Sequence, residues 1–314
     1  MHILITGAGG FIGRHLVNTI LENSEDSGLT RLTAMDLNLD ALGDHPLLHK
    51  LVGSFADDAI LDAALSVPAD QVFHLASVPS GAAESNHTLG MSVNIDGTIA
   101  LLDRMKDQGN YSTMVFASSI AVFGKPAVNE VNDDTLPTPN LSYGSQKVIG
   151  EVLVADYVRR GWIRGCSVRL PGIIARPPEP NGAVSIFFSD LVRNLSQGKP
   201  FTCPVSISAM SWLMSVSCCV ENLLHAATLA QDKPHTWTLP AMHIAIGELV
   251  NELDELFPDL ELRDLITYEP DPWVEENFGS YPPIKCLKAE AAGFHHDGSA
   301  LDLVANAMKT LNPK

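Results

Sequence analysis

His2-Ile3-Leu4-Ile5-Thr6-Gly7-Ala8-Gly9-Gly10-Phe11-Ile12-Gly13-Arg14-His15-Leu16-Val17-Asn18-Thr19-Ile20-Leu21 is the stretch whose reading decides the fold. Its first five residues form an apolar run with no helical stripe, the pattern of a strand buried in a parallel sheet. Glycines follow at 7, 10 and 13. From Phe11 onward, Ile12, Leu16, Val17 and Ile20 fall on one side of a helix. Strand, glycine turn and helix together are the context in which backbone N–H groups meet a pyrophosphate at a helix N-terminus, where the helix dipole favours an anion. The next strand, Arg31 to Met35, ends in Asp36. A carboxylate there accepts from an adenosine ribose 2′-OH and repels a 2′-phosphate, so the expected cofactor is NAD, not NADP.

Beyond this unit, strand-like runs alternate with helical patterns to about residue 170, as in a parallel sheet wrapped by helices. Val72 to Ala76 reads as a strand, Leu89 to Met105 as a helix carrying Asn94, Met114 to Ser118 as a strand, and Cys166 to Leu170 as another. Ser119 stands at the C-terminal end of its strand, where ligands bind in open α/β sheets. Ser142 is a candidate N-cap for a helix running to about Arg159. Within it, Tyr143 and Lys147 share one face, a turn apart. A lysine ammonium beside a phenol favours the phenolate, a usable base near neutral pH, and a nearby serine hydroxyl positions an alcohol or carbonyl. Against a bound nicotinamide, Ser119, Tyr143 and Lys147 suit reversible hydride transfer at a C–OH carbon.

The expected architecture is α/β: a Rossmann-type doubly wound parallel sheet with a smaller C-terminal α/β substrate lobe. Residues 1–170 are assigned to the NAD-binding domain and 171–314 mainly to the lobe. The change is placed at Pro171-Gly172 and the Pro-rich 176–182 segment, a candidate lid, and the chain is expected to return to the sheet domain near 210–240. Ile246 to Phe257 and Leu301 to Leu311 read as helices.

The chain has 314 residues, with 37 acidic against 20 basic, a net charge of −17. No basic cluster interrupts that excess, which argues against nucleic acid and anionic membrane surfaces as partners. No stretch is long and apolar enough to span a bilayer. No signal peptide is expected, because strand residues begin at His2. The cysteines 166, 203, 218, 219 and 286 are odd in number and lack zinc-type spacing. Reduced, buried thiols in a cytoplasmic protein, and no metal, are the expectation.

Taken together these residues resemble the extended short-chain dehydrogenase/reductase superfamily, the NAD-dependent epimerase/dehydratase group. The carrying features are Thr-Gly-x-x-Gly-x-x-Gly at 6–13, Asp36, His74-Leu75-Ala76, Asn94 with Gly97-Thr98, Ser118-Ser119 before Val122-Phe123-Gly124, and Tyr143-x-x-x-Lys147. The tail Lys288 to Phe294 also matches. Within the superfamily the chain looks most like the D-erythronate dehydrogenase subfamily, through Ser80 to Glu84, Arg169-Leu170-Pro171, Arg176-Pro177 with Pro180 to Ala183, and Trp212 to Ser215. The resemblance implies NAD-dependent oxidation at C2 of a four-carbon sugar acid. It makes Tyr143 the acid/base, Lys147 the holder of the nicotinamide ribose, Ser119 the donor to the reacting oxygen, and Asn94 a support for a proton relay to Lys147. It places Gly7, Gly10, Phe11, Ile12, Gly13, Asp36, Leu75, Ala76, Asn94, Tyr143, Lys147, Pro171 and Ile173 at the cofactor. Ser80, Ser119, Tyr143, Arg176 and Asn181 fall at the substrate. It also implies a homodimer paired through the helices at 89–105 and 143–159.

Some positions depart from the pattern. Ser54-Phe55 stands where many relatives place Asp and Ile beside the adenine. Phe123 replaces the common tyrosine, and Val216-Ser217 replaces a Pro-Arg found in some sugar-acid relatives. Two other readings stay open. A nucleotide-sugar epimerase shares Ser119, Tyr143 and Lys147, but its diphosphate substrate wants several cations, and after residue 170 only Arg176 and Arg193 stand out. A small carboxylated polyol needs one bidentate arginine. A non-catalytic NAD-binding sensor is the second alternative, although such proteins usually lose the tyrosine or lysine. Among blander readings, Ser118 is expected to bond backbone, His74 to end a core strand and His295-His296 to lie in a solvated loop. Glu84 is read as solvent-facing, with the alternative that its loop borders the substrate. Arg176 is left between a carboxylate clamp and a pair with Glu179, and Trp212 and Phe187 between pocket lining and core.

Overall fold

All five residues of His2–Thr6 are buried, and the strand pairs in parallel with a neighbour on each side. Both faces are therefore covered, which is why the run lacks alternation of apolar and polar residues. The computed structural model describes residues 1–125, 128–178, 184–230 and 232–311, with the side chains of Asp26 and Val184 excepted. The expectations for Asn181, for the Pro180 to Ala183 stretch and for a Glu179 partner of Arg176 lie outside the described residues. The chain forms two compact units. One comprises Met1–Val122, Leu141–Arg169 and Leu223–Trp237; the other comprises Phe123–Asn140, Leu170–Asn222 and Thr238–Lys314.

The first unit is built on a seven-stranded sheet of β1 (His2–Thr6), β2 (Arg31–Asp36), β3 (Leu48–Val52), β4 (Gln71–His74), β5 (Thr113–Ser119), β6 (Arg164–Leu170) and β7 (His235–Thr238). Their lateral order is β7-β6-β5-β4-β1-β2-β3. β1 pairs with β2 and β4, β2 with β3, and β4 with β5, all in parallel. The winding thus proceeds outward in both directions from β1 and β4, the doubly wound Rossmann arrangement expected from the sequence. Its reversal places a ligand crevice at the carboxyl ends of those two strands.

Three helices matter for the site. α1 (Phe11–Glu22) buries Phe11, Leu16, Val17 and Ile20. α2 (Thr98–Gln108) continues a helical run that starts at His87: α-helical His87–Met91 passes into a π-helical turn at Ser92–Gly97 and then into α2 without interruption, so the helix expected over 89–105 is present with a π-helical turn inside it. Asn94 sits inside the π-helical turn, where the wider backbone re-aims side chains. α3 (Ser142–Arg159) carries Tyr143 and Lys147. The core includes Leu4, Val72, Leu101, Leu102, Met114 and Val158.

In the second unit, Met210–Met214 lies between Gly172–Ile173, to which it is parallel, and Met242–Ala245, to which it is antiparallel. Helices Phe187–Ser196, Ile246–Leu256 and Ala300–Leu311 supply Phe187, Leu191, Leu249 and Leu303 to a second core. Trp212 is fully buried, stacks on Tyr281 with ring centroids 4.6 Å apart, and donates its indole N–H to the Pro282 carbonyl at 2.7 Å. Trp212 and Phe187 therefore pack the lobe.

Candidate active site

The glycine turn leaves β1 at Gly7, whose φ of +75° lies in the left-handed region. A Cβ there would also stand 2.6 Å from the Ala76 nitrogen, so only glycine lets the turn lie against Leu75-Ala76 at the end of β4. At Gly13 a Cβ would stand 2.0 Å from the Gly7 carbonyl oxygen, which presses α1 onto the turn. Gly10 is the extended N-cap of α1 and offers no side-chain cap. The N–H groups of the first helical turn, at Phe11, Ile12 and Gly13, are thus available to an anion. Asp36 ends β2 beside them. Its carboxylate accepts from the Gly9 N–H at 2.9 Å and from the Leu37 N–H at 2.6 Å, two bonds that fix its orientation at the turn. This donor and acceptor set fits a dinucleotide: N–H groups for the pyrophosphate and a held carboxylate for a ribose diol. Asp36→Ala, which removes the carboxylate and unties Gly9, is expected to weaken NADH binding by about tenfold or more and to narrow discrimination against NADPH. Fluorescence titrations of both cofactors check this.

Ser119 closes β5. Its Oγ accepts the Ala121 N–H at 3.1 Å. The hydroxyl proton is thereby left to donate elsewhere, as a group that must hold a substrate oxygen requires. On α3, Lys147 is 3% exposed and donates from Nζ to the Ala117 carbonyl at 2.7 Å. That bond ties α3 to β5 two residues before Ser119. The same Nζ stands 5.5 Å from the Tyr143 ring centroid and 4.9 Å from that of Phe116. Burial pulls the Lys147 pKa down to about 7, with the Glu151 carboxylate acting against the shift. Tyr143 and Lys147 are thus together as the spacing expected, with Ser119 two residues beyond the carbonyl that holds the lysine.

Asn94 is held by Val78 and Gln146. Its Oδ1 accepts the Val78 N–H at 2.7 Å, and its Nδ2 donates to the Val78 carbonyl at 3.0 Å and to Gln146 Oε1 at 2.7 Å. Both amide donors are used, and no hydrogen bond joins the side chain to Lys147 among the described residues. Asn94 instead clamps the segment between Ala76 and Ser80, the first residue of the helix Ser80–Ser85. His74 is buried between Thr6 Oγ1 at 2.6 Å and Thr98 Oγ1 at 3.1 Å. Burial first and the Lys147 charge second push its pKa down to about 3, so it is a neutral core residue.

Two capping and pairing devices were not visible in the sequence. Ser142 is not an N-cap: Leu141 holds that position, and the Ser142 N–H donates to Glu84 at 2.8 Å. Glu84 therefore faces the start of the tyrosine helix, where its charge complements the helix dipole. Ser118 donates to the Glu151 carboxylate, not to backbone. Glu151 also receives Arg169 Nε and Nη2, each at 2.8 Å, with side-chain exposures of 7% and 12% for the acid and the arginine. Tyr143, Lys147 and Glu151 recur every fourth residue, a spacing that puts Glu151 on their face but does not name Ser118 and Arg169 as its partners. Glu151→Ala strips Arg169 of its bidentate partner in a buried setting and is expected to cost about 3–5 kcal/mol of stability. Urea unfolding of the two proteins measures it.

Of the residues expected at the cofactor from the second unit, Pro171 is buried and Ile173 lies in the short strand Gly172–Ile173. Arg176 donates from Nε to the Ile173 carbonyl at 3.1 Å. Arg193 gives Nη1 to the Arg176 carbonyl and Nη2 to Asp190. Among the described residues no group of three or more His, Cys, Asp or Glu side chains is placed to hold a metal ion, and His295 pairs with Glu221. All five cysteines are free and buried. No helix among the described residues is long and apolar enough to cross a membrane.

Comparison with known proteins agrees with this geometry. Residues 3–238 match the model of the NAD dependent epimerase/dehydratase family. A D-erythronate dehydrogenase from Cupriavidus necator is 34% identical, with 98% of each chain covered. One from Haemophilus influenzae is 30% identical over 97% of this chain and 98% of its own. The crystal structure of the nucleoside-diphosphate-sugar epimerase from Agrobacterium tumefaciens superimposes with a TM-score of 0.87 at 30% identity, covering 97% of this chain and 92% of that one. The chain is an enzyme, an NAD-dependent oxidoreductase of the dehydrogenase type. With the glycine turn, Asp36 and the paired Tyr143 and Lys147 in place, and with a family match over three quarters of its length, this protein belongs to the NAD-dependent epimerase/dehydratase family.

Proposed function

We propose that the enzyme oxidises a secondary alcohol of a small sugar acid, D-erythronate or a near relative, at C2. The observation that carries the reading is the buried Lys147 held by the Ala117 carbonyl against the Tyr143 ring, 5.5 Å from its centroid. A positive charge there favours the phenolate, and the phenolate takes the proton of the substrate alcohol. Ser119, whose Oγ already accepts the Ala121 N–H, donates a hydrogen bond to the reacting oxygen and keeps it as the carbonyl forms, its proton staying on Oγ. Bound NAD supplies the hydride acceptor. Gly7, Gly10, Phe11, Ile12 and Gly13 hold the pyrophosphate, Asp36 the adenosine ribose, Leu75 and Ala76 the floor beneath the cofactor, and Pro171 and Ile173 its nicotinamide end. Asn94 positions the Val78 segment, which leads to Ser80.

The substrate class rests on the two D-erythronate dehydrogenases that align over nearly the whole chain. Arginine usage supports it. Arg169 is given to Glu151 and Arg193 to Asp190 and the Arg176 carbonyl, which commits two of the cations a diphosphate would need; Arg176 is proposed as the carboxylate contact by resemblance to the same subfamily. The epimerase reading is retained because the Agrobacterium tumefaciens structure, named as a nucleoside-diphosphate-sugar epimerase, is 30% identical. We further propose a homodimer, since α3 exposes Ile149 and Val152, and a cytoplasmic location, since every thiol is free and buried.

The test is NADH formation with NAD and a panel of four- to six-carbon sugar acids including D-erythronate, beside UDP- and GDP-sugars analysed for epimerised product. Steady turnover on one acid supports the proposal. An epimerised nucleotide sugar with no NADH from any acid overturns it in favour of the second reading.

A further inference from the structure

Gln146 lies between the two proposed catalytic residues of α3, is 2% exposed, and has no part in the proton or hydride transfer described above. Its side chain turns toward the segment of Asn94. The orientation of both amides follows from one backbone group. The Val78 N–H must donate, so the atom of Asn94 it meets at 2.7 Å is the oxygen, and the atom facing Gln146 is the Asn94 nitrogen. The atom of Gln146 that receives it at 2.7 Å is then Oε1. This leaves Gln146 Nε2 buried and, among the described residues, without a hydrogen-bond partner. Such an orphan costs roughly 1–3 kcal/mol and calls for a reason.

Gly90 provides room for that orphan. A Cβ at position 90 would stand 2.6 Å from Nε2. The helix His87–Met91 thus approaches α3 at a glycine, directly over the glutamine amide. An unsatisfied amide and a glycine that accommodates it both maintain one bond, from Asn94 to Gln146, and that bond spans 52 residues of sequence. At the other side of Asn94 is the Val78 backbone, held by two hydrogen bonds. The chain of contacts runs from α3 through Gln146 and Asn94 to the strand-end segment that leads from Leu75-Ala76 to Ser80.

We infer that Gln146 is a positioning residue. It locks the Asn94 amide so that the Ala76–Ser80 segment, the proposed floor of the cofactor and the start of the substrate contacts, is set in register with Tyr143 and Lys147 on the same helix. This rests on the dehydrogenase reading for its catalytic consequence, but not for its effect on cofactor binding. A loosened segment weakens NADH binding first, and lowers kcat because the reacting groups lose their alignment.

The experiment compares wild type, Gln146→Met, Gln146→Glu and Gly90→Ala by fluorescence titration with NADH, by steady-state oxidation of D-erythronate, and by urea unfolding. Methionine keeps the volume and removes the acceptor; glutamate keeps an acceptor. Gly90→Ala leaves Gln146 in place but pushes its amide aside. Gln146→Met and Gly90→Ala are expected to weaken NADH binding about tenfold or more and to lower kcat, and Gln146→Glu to recover most of the NADH affinity. NADH affinity within about twofold of wild type in both Gln146→Met and Gly90→Ala, with only the unfolding midpoint changed, overturns the inference. So does an equal loss in Gln146→Met and Gln146→Glu. If wild type binds NADH but oxidises no sugar acid, the proposed substrate fails while the NADH titrations still decide the role of Gln146. If Gln146→Met does not fold, Gly90→Ala and Gln146→Glu decide it.

Discussion

Tyr143→Phe is expected to lower NADH formation by about 10³-fold or more while leaving NADH affinity close to that of wild type. The substitution removes one oxygen and nothing else. The ring remains to pack beside Lys147 Nζ, 5.5 Å from its centroid, and the lysine keeps its bond to the Ala117 carbonyl. What is lost is the only group in the proposal that receives the alcohol proton. Ser119 cannot take over, because a neutral alkyl hydroxyl is a far weaker base than a phenolate, and the Ser119 Oγ already accepts the Ala121 N–H. Stability should change by less than about 1 kcal/mol, since Tyr143 is half-buried at the start of α3. Rates at saturating NAD and a parallel NADH titration separate the outcomes. A variant that retains more than about a tenth of wild-type turnover would assign the base elsewhere.

Lys147→Met is expected to abolish turnover and, at the same time, to leave the fold as stable or more stable. Lys147 is 3% exposed, and its burial lowers the pKa to about 7 from an ordinary value of 10.5. A lysine whose folded pKa lies below its unfolded value destabilises the fold wherever it must be charged. That cost is fully present below pH 7 and is relieved as pH rises from 7 toward 10.5. Methionine fills similar volume without a charge, so the variant should gain up to about 2 kcal/mol at pH 6. Its advantage should shrink by pH 9, where wild-type Lys147 has become neutral. Urea unfolding of both proteins at the two pH values measures this. A variant less stable than wild type at pH 6, or an advantage that grows with pH, would show that Lys147 serves the fold more than the site. The expected pattern, a buried charge kept at the expense of stability, marks a residue retained for function.

The parts of this molecule that were legible from residues alone are those governed by local rules. A strand covered on both faces must be apolar throughout, and His2–Thr6 is. A turn that lies against another backbone must place glycine where, as at Gly7, an added Cβ would stand 2.6 Å from the Ala76 nitrogen. A lysine one helical turn after a tyrosine must share its face, as Lys147 does. What was not legible depends on partners far away in the chain. Ser142 had the right residue type for a cap, but Glu84, 58 residues earlier, supplies the acceptor. Ser118 suits a backbone bond by residue type, whereas its partner is Glu151, 33 residues later. Asn94, in the π-helical turn Ser92–Gly97, bonds Val78 and Gln146, 16 and 52 residues away, contacts that its residue type does not announce. A π-helical insertion leaves the apolar periodicity of 89–105 almost unchanged, so nothing in the residue pattern announces it.

The most direct test of the central claim, that hydride leaves a C–OH carbon while Tyr143 takes the proton, is to incubate the enzyme with NAD and D-erythronate deuterated at C2 and to measure the mass of the NADH formed. One deuterium is expected in the NADH from wild type, and labelled NADH is expected to form at least about 10³-fold more slowly with Tyr143→Phe. Unlabelled NADH from wild type, or labelled NADH at an undiminished rate from Tyr143→Phe, would contradict it.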